Sequence, residues 1–76
     1  MKPTKAQRRV LEEMEEGVTL LRAEDRWRLL YRDGTSRLVT ITALTLSDNG
    51  WIDSEVGYTW LITPAGREAL REGQTK

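Results

Sequence analysis

The chain contains no cysteine, no histidine and no phenylalanine. Without cysteine there is no disulfide, no thiolate metal ligand and no thiol nucleophile. Without histidine, the side chain that most often carries protons near neutral pH is missing too. Serines are few (Ser36, Ser47 and Ser54), and none sits in a nucleophile-elbow context. The carboxylates fall in charged, turn-like stretches, where solvation leaves them poor bases. No glycine-rich phosphate loop occurs. Asp48, Asp53 and Glu55 gather acidic oxygens around one corner but lack the twelve-residue spacing of a calcium loop. These absences predict a non-enzymatic protein with no catalytic residues, no metal, no cofactor and no small-molecule substrate.

Long apolar runs are missing as well. No stretch approaches the ~20 residues of a membrane-spanning helix. The first ten residues, MKPTKAQRRV, have charge but no apolar segment. The expectation is a cytoplasmic protein that does not meet a membrane. Net charge is also lacking, with 12 Lys and Arg against 12 Asp and Glu. Overall neutrality disfavours strong non-specific binding to nucleic acid unless the charge is segregated. It is segregated. Residues 1–38 carry nine Lys and Arg against seven Asp and Glu, residues 39–76 three against five, and no cation stands between Arg37 and Arg67.

What is present fits one domain over 1–76, with 1–3 and 73–76 expected to be flexible. Three tryptophans and two tyrosines supply much of the core bulk. Thr4-Lys5-Ala6-Gln7 reads as a capping box, opening a helix that runs to about Glu16 and is closed by Gly17. Ala6, Val10, Leu11 and Met14 make its apolar stripe. Three strands follow, Val18–Arg22, Arg26–Arg32 and Thr35–Val39. Asp33-Gly34 reads as a two-residue hairpin turn. That register sets Leu29 opposite Leu38 and Leu30 opposite Arg37. One face then holds Trp27, Leu29, Tyr31 and Leu38, and the other Arg26, Arg28, Leu30, Arg32 and Arg37.

Residues 40–70 read as helix, short hairpin, helix. Ile41, Leu44 and Leu46 give the first helix an apolar side, and Asn49-Gly50 ends it. Trp51-Ile52 begins a strand, a polar loop turns the chain over 53–57, and Tyr58–Ile62 returns. Thr63 caps the last helix, with Pro64 at its first position and Gly66 placed for close approach to the sheet. A second reading stays open. Thr40, Ile41, Thr42 and Thr45 are β-branched, and Asp48-Asn49-Gly50 could turn a strand 42–47 onto 51–54.

The spacing Leu46-x-x-x-Gly50-x-Ile52, followed by Trp60-x-Ile62-Thr63-x-x-Gly66-x-x-x-Leu70, resembles the winged-helix superfamily over about the last half of the chain. The resemblance implies an α+β, winged-helix-like domain in the order α-β-β-β-α-β-β-α. It is atypical, because a β-hairpin insert replaces helix two. It also implies DNA binding and transcription regulation. The residues redirect that implication. The helix at 40–49 offers Thr42 and Thr45 but no cation, and the wing carries Asp53 and Glu55. The candidate phosphate contacts lie earlier, in Arg26, Arg28, Arg32 and Arg37 and in Lys5, Arg8 and Arg9. The competing expectation is protein–protein recognition, as adaptor, inhibitor or homodimer, with Trp51 and Tyr58 as interface candidates.

Overall fold

The computed structural model describes residues 2–56 and 59–74, with backbone only for 55, 56, 73 and 74. The element order is α1 (Lys5–Glu15), β1 (Thr19–Ala23), β2 (Arg26–Leu30), β3 (Ser36–Leu38), α2 (Thr40–Asp48), β4 (Ile52–Val56), β5 (Thr59–Ile62) and α3 (Pro64–Gln74). This is the expected order. Of the ends expected to be flexible, Met1 and residues 75–76 lie outside the described residues, while 73 and 74 belong to α3.

The strands form one antiparallel sheet in the order β3-β2-β1-β5-β4. The helices cover one of its faces. Val10, Leu11 and Met14 from α1, Ala43 and Leu46 from α2, and Ala69 and Leu70 from α3 meet Leu20, Trp27, Leu29 and Ile52 in a single core. Trp27 and Trp60 stack across that face, with ring centroids 4.6 Å apart and planes tilted by 58°. The Arg22 guanidinium lies over the Trp27 ring, 5.6 Å from its centroid. Such aromatic and cation–π contacts add to what area burial contributes.

Local chemistry explains the helix ends. Thr4 Oγ1 accepts the Gln7 N–H at 3.2 Å, and Gln7 Oε1 accepts the Thr4 N–H at 2.8 Å, completing the capping box. α1 and α2 close in the same way. The Val18 and Gly17 N–H groups donate to Glu13 O and Met14 O, and the Trp51 and Gly50 N–H groups donate to Leu46 O and Ser47 O. This is the 6→1 and 5→2 pattern that a glycine in the left-handed region permits. Gly17 and Gly50 supply it at φ 103° and 75°.

The helical reading of 40–48 holds against the strand alternative. Two bonds to β2 pin its start. Thr40 Oγ1 accepts the Trp27 N–H, and the Val39 N–H donates to Trp27 O. Its buried side differs from the expected one, however. At about 100° per residue, Ile41 and Leu44 stand roughly 140–160° around the helix from Leu46. Ala43 and Leu46 are therefore buried, whereas Ile41 is 81% exposed and Leu44 is also exposed.

Three further expectations are corrected. Residues 53–56 are strand β4 rather than a loop, with Asp53 paired to Leu61. Trp51 is only 7% exposed and sits in the core, so it is not an interface contact. The β2–β3 turn is a three-residue loop, Arg32–Gly34. Gly34 N–H donates to Tyr31 O, Tyr31 N–H donates to Thr35 O, and Gly34 takes φ 89°. That is a type I turn followed by a glycine bulge. The extra residue moves the register by one, to Arg28↔Leu38 and Leu29↔Arg37. A one-residue slip exchanges the faces of a strand. Leu38 therefore faces outward and Arg37 faces the helices. Asp33 fastens the loop, accepting the Thr35 hydroxyl at 2.6 Å and the Thr35 N–H at 3.0 Å. These bonds hold its carboxyl below the ordinary carboxylate value.

Candidate nucleic-acid interface

The exchanged face of β3 creates the most distinctive surface of the molecule. Arg37 is brought onto the first turns of α1. There an open groove of about 690 Å³ runs between α1 and the β3–α2 junction. Its lining includes Lys5, Arg8, Arg9 and Arg37 as cations, with Thr42 from α2 and Ala6, Val10, Leu38 and Val39 as an apolar bed. Glu12 is the one acidic residue of the lining. Five of the nine residues expected to meet nucleic acid thus converge on one groove.

One further carboxylate, outside this lining, ties two of its arginines to Tyr31. Glu13 accepts the Tyr31 hydroxyl at 2.6 Å through Oε1. Arg37 Nη2 lies 3.7 Å from the same oxygen, and Arg9 Nε lies 3.6 Å from Oε2. The hydrogen bond to Glu13, followed by burial, raises the Tyr31 phenol above its ordinary value of 10.0. The two arginines are held by charge at a distance longer than a hydrogen bond, so neither guanidinium fork is used up. Arg37 Nε is buried without a hydrogen-bond partner. Arg8 reaches Glu12 at 4.0 Å, one turn along the exposed side of α1. Arg8–Glu12 and Arg9–Glu13 are both i,i+4 pairs of α1.

The remaining candidates are placed differently. Thr45 is engaged between helices: its hydroxyl donates to Thr42 O at 2.7 Å and accepts from Gln7 Nε2 at 2.8 Å. It ties α2 to α1, and its hydroxyl proton is committed to Thr42 O. Arg26 and Arg28 lie on the outer face of β2, where Arg28 Nη1 approaches Ser36 Oγ at 3.4 Å. Arg32 leaves the sheet altogether and sits in the β2–β3 loop, close to Gly17. The four-arginine strand face expected from sequence is thus reduced to two. Tyr58 lies outside the described residues.

The sequence did not reveal Glu13 as the carboxylate shared by Arg9 and Arg37, or Tyr31 as its hydrogen-bond donor. The signal was present in Arg32-Asp33-Gly34, which suits a three-residue loop with a bulge as well as it suits a two-residue turn. Choosing the longer loop would have turned Arg37 toward α1.

The chain matches no known protein family, no curated protein and no solved structure in comparisons with each. Among the described residues, no helix is long and apolar enough to cross a membrane.

Proposed function

We propose that the domain is a non-enzymatic nucleic-acid-binding module of the cytoplasm, acting in transcription modulation, and that it grips a phosphate backbone in the groove between α1 and β3–α2. The observation that carries this reading is the convergence of Lys5, Arg8, Arg9 and Arg37 on one open groove of a chain with no net charge. Phosphate contacts from such side chains dominate affinity for DNA. Charge gathered in one place can do what overall charge cannot.

The helix–hairpin–helix order of residues 40–74 is the part that resembles a winged helix, and it favours DNA as the polyanion. The usual docking of such a domain would present α2. Here the outward side of α2 carries Ile41, Leu44 and Asp48, which provide no phosphate anchor. The reading therefore places the grip on α1 and Arg37, with Thr42 at the rim.

Titration of a labelled DNA duplex by fluorescence anisotropy at several salt concentrations tests it. Binding should weaken steeply with salt. Replacing Arg8 and Arg9 together with alanine should reduce the log–log slope by about 2, roughly one per phosphate contact. Arg26→Ala with Arg28→Ala should leave the slope nearly unchanged. Undetectable binding at low salt, or equal losses from both double variants, refutes the assignment.

A second reading rests on a separate observation. Ile41 and Leu44 are exposed neighbours one turn apart on α2, a pattern suited to an apolar protein partner. An adaptor or inhibitor would use that surface. Ile41→Asp would then abolish capture of the partner while DNA binding stays intact.

A further inference from the structure

The face of the sheet turned away from the helices carries a second pattern. Along one cross-strand row Ser36, Leu30 and Thr19 stand side by side, and Leu61, beside Thr19, pairs with Asp53 on the edge strand. Leu21 lies in the next row, opposite Arg28. Leu30, Leu21 and Leu61 therefore step diagonally across β2, β1 and β5, within reach of one another. Leu30 is 41% and Leu61 is 46% exposed. Charge on this face is divided about β1. Arg26 and Arg28 lie on one side, on β2, and Asp53 lies on the other, on β4.

We propose that this face joins two copies of the chain about a two-fold axis lying between the sheets and along β1. Rotation about that axis lays β2 of one copy on β5 of the other. Leu30 then meets the other copy's Leu61, and the same contact recurs on the far side of the axis, as an isologous interface requires. Leu21 meets its own symmetry mate. Asp53 arrives above β3, beside Arg28, so the acidic flank covers the basic one.

Five strands about 4.8 Å apart and roughly 16 Å long give a flat footprint on the order of 400 Å² per copy, against the ~800 Å² per partner of a standard interface. The dimer is therefore one that forms at high concentration and dissociates on dilution. Leu38, opposite Arg28 on this face, also borders the groove between α1 and the β3–α2 junction, while the cations of that groove lie on the helix side and stay open. The inference does not depend on what that groove binds.

Sedimentation equilibrium on the intact chain, from about 10 μM to about 1 mM, tests it. The mean mass should climb from 8.7 kDa toward twice that value. Leu30→Glu alone and Leu61→Lys alone should each weaken association at least tenfold, because each sets a charge against leucine. Combining Leu30→Glu with Leu61→Lys should restore association and make it salt-sensitive, because the opposite charges meet at both equivalent positions. Arg28→Asp combined with Asp53→Arg should rescue its single variants by the same logic, and provides the test if the leucine variants fold poorly. Far-UV circular dichroism checks each fold. A wild type that stays monomeric throughout overturns the proposal and leaves the face to a different protein. So do single variants that associate normally, or double variants that fail to recover.

Discussion

Replacing Gly66 with alanine should destabilise the domain by about 2–3 kcal/mol, although alanine is the better helix former by roughly 0.5–1 kcal/mol. The reason is a contact between backbones. A Cβ at position 66 would lie 2.3 Å from Trp51 O and 2.8 Å from Ile62 Cγ1, where real Cβ atoms do not come closer than 3.0 Å. The isoleucine can turn aside, but the carbonyl cannot. Trp51 O accepts the Thr63 N–H at 2.9 Å, and Thr63 Oγ1 donates to Gly50 O at 2.7 Å while accepting the Gly66 N–H at 3.1 Å. This knot joins the end of α2 to the start of α3. To clear the clash, α3 must rise by 0.7 Å or more. A gap of that size forfeits roughly a quarter to a half of each van der Waals contact beneath it, here the packing of Ala69 and Leu70. It also stretches the Thr63 bonds, which are worth about 1 kcal/mol each. A chain of this length has roughly 4–11 kcal/mol of total stability, so the variant still folds but melts about 10–20 °C lower. Thermal and urea melts followed by circular dichroism measure the difference. Ala65→Gly, at an exposed site in the same turn, serves as the control and should cost no more than about 1 kcal/mol. If Gly66→Ala proves as stable as the wild type, or more so, the close approach of α3 to Trp51 is refuted.

Glu13→Gln should lower the Tyr31 phenol toward 10, read as absorbance of the phenolate during a pH titration. In the wild type the raised value means that the neutral phenol supports the fold. That contribution is fully present below about pH 10 and is lost as pH rises through the folded-state value; an unchanged alkaline stability profile in Tyr31→Phe would contradict it. Trp51→Ala should destabilise by about 3–5 kcal/mol in a urea melt, because the ring is buried; a near-neutral result would restore it as a surface contact. Glu24 holds φ 59° in the β1–β2 turn, so Glu24→Gly should raise stability by up to about 1 kcal/mol, and a loss would dispute that turn geometry.

Much of the fold was legible because its signals are local. The capping box at Thr4, the glycine closures at Gly17 and Gly50, and the Thr63-Pro64 start each rest on a few adjacent residues, and each lies where the sequence puts it. What stayed hidden depends on counting across strands. One bulge residue at Gly34 decides which way Arg37 points, and with it whether the basic surface is a strand face or a groove. Residues 53–56 read as a polar loop because edge strands carry polar side chains. The sides of α2 were hidden for another reason. Its apolar residues surround the helix, and only the partners packed against it choose Ala43 and Leu46 for burial. Lys5, Arg8 and Arg9 are visible as candidates in the sequence, but Glu13 and Tyr31 acquire their role only where the chain beyond β2 brings the phenol to α1.

The strand order has a mechanical consequence. The β1-β2-β3 meander and the β4-β5 hairpin meet along one line, registered at Leu20↔Trp60 and Leu21↔Thr59. A sheet assembled from two units in this way has a fault line, and the ladder across it is short. Partial opening should begin there, before either unit melts. Trp27 and Trp60 stand on the strands flanking β1, one in each unit, with their rings in contact. Their separation would change indole emission at the first parting of the seam, so the molecule carries an intrinsic fluorescent gauge of its own weakest joint.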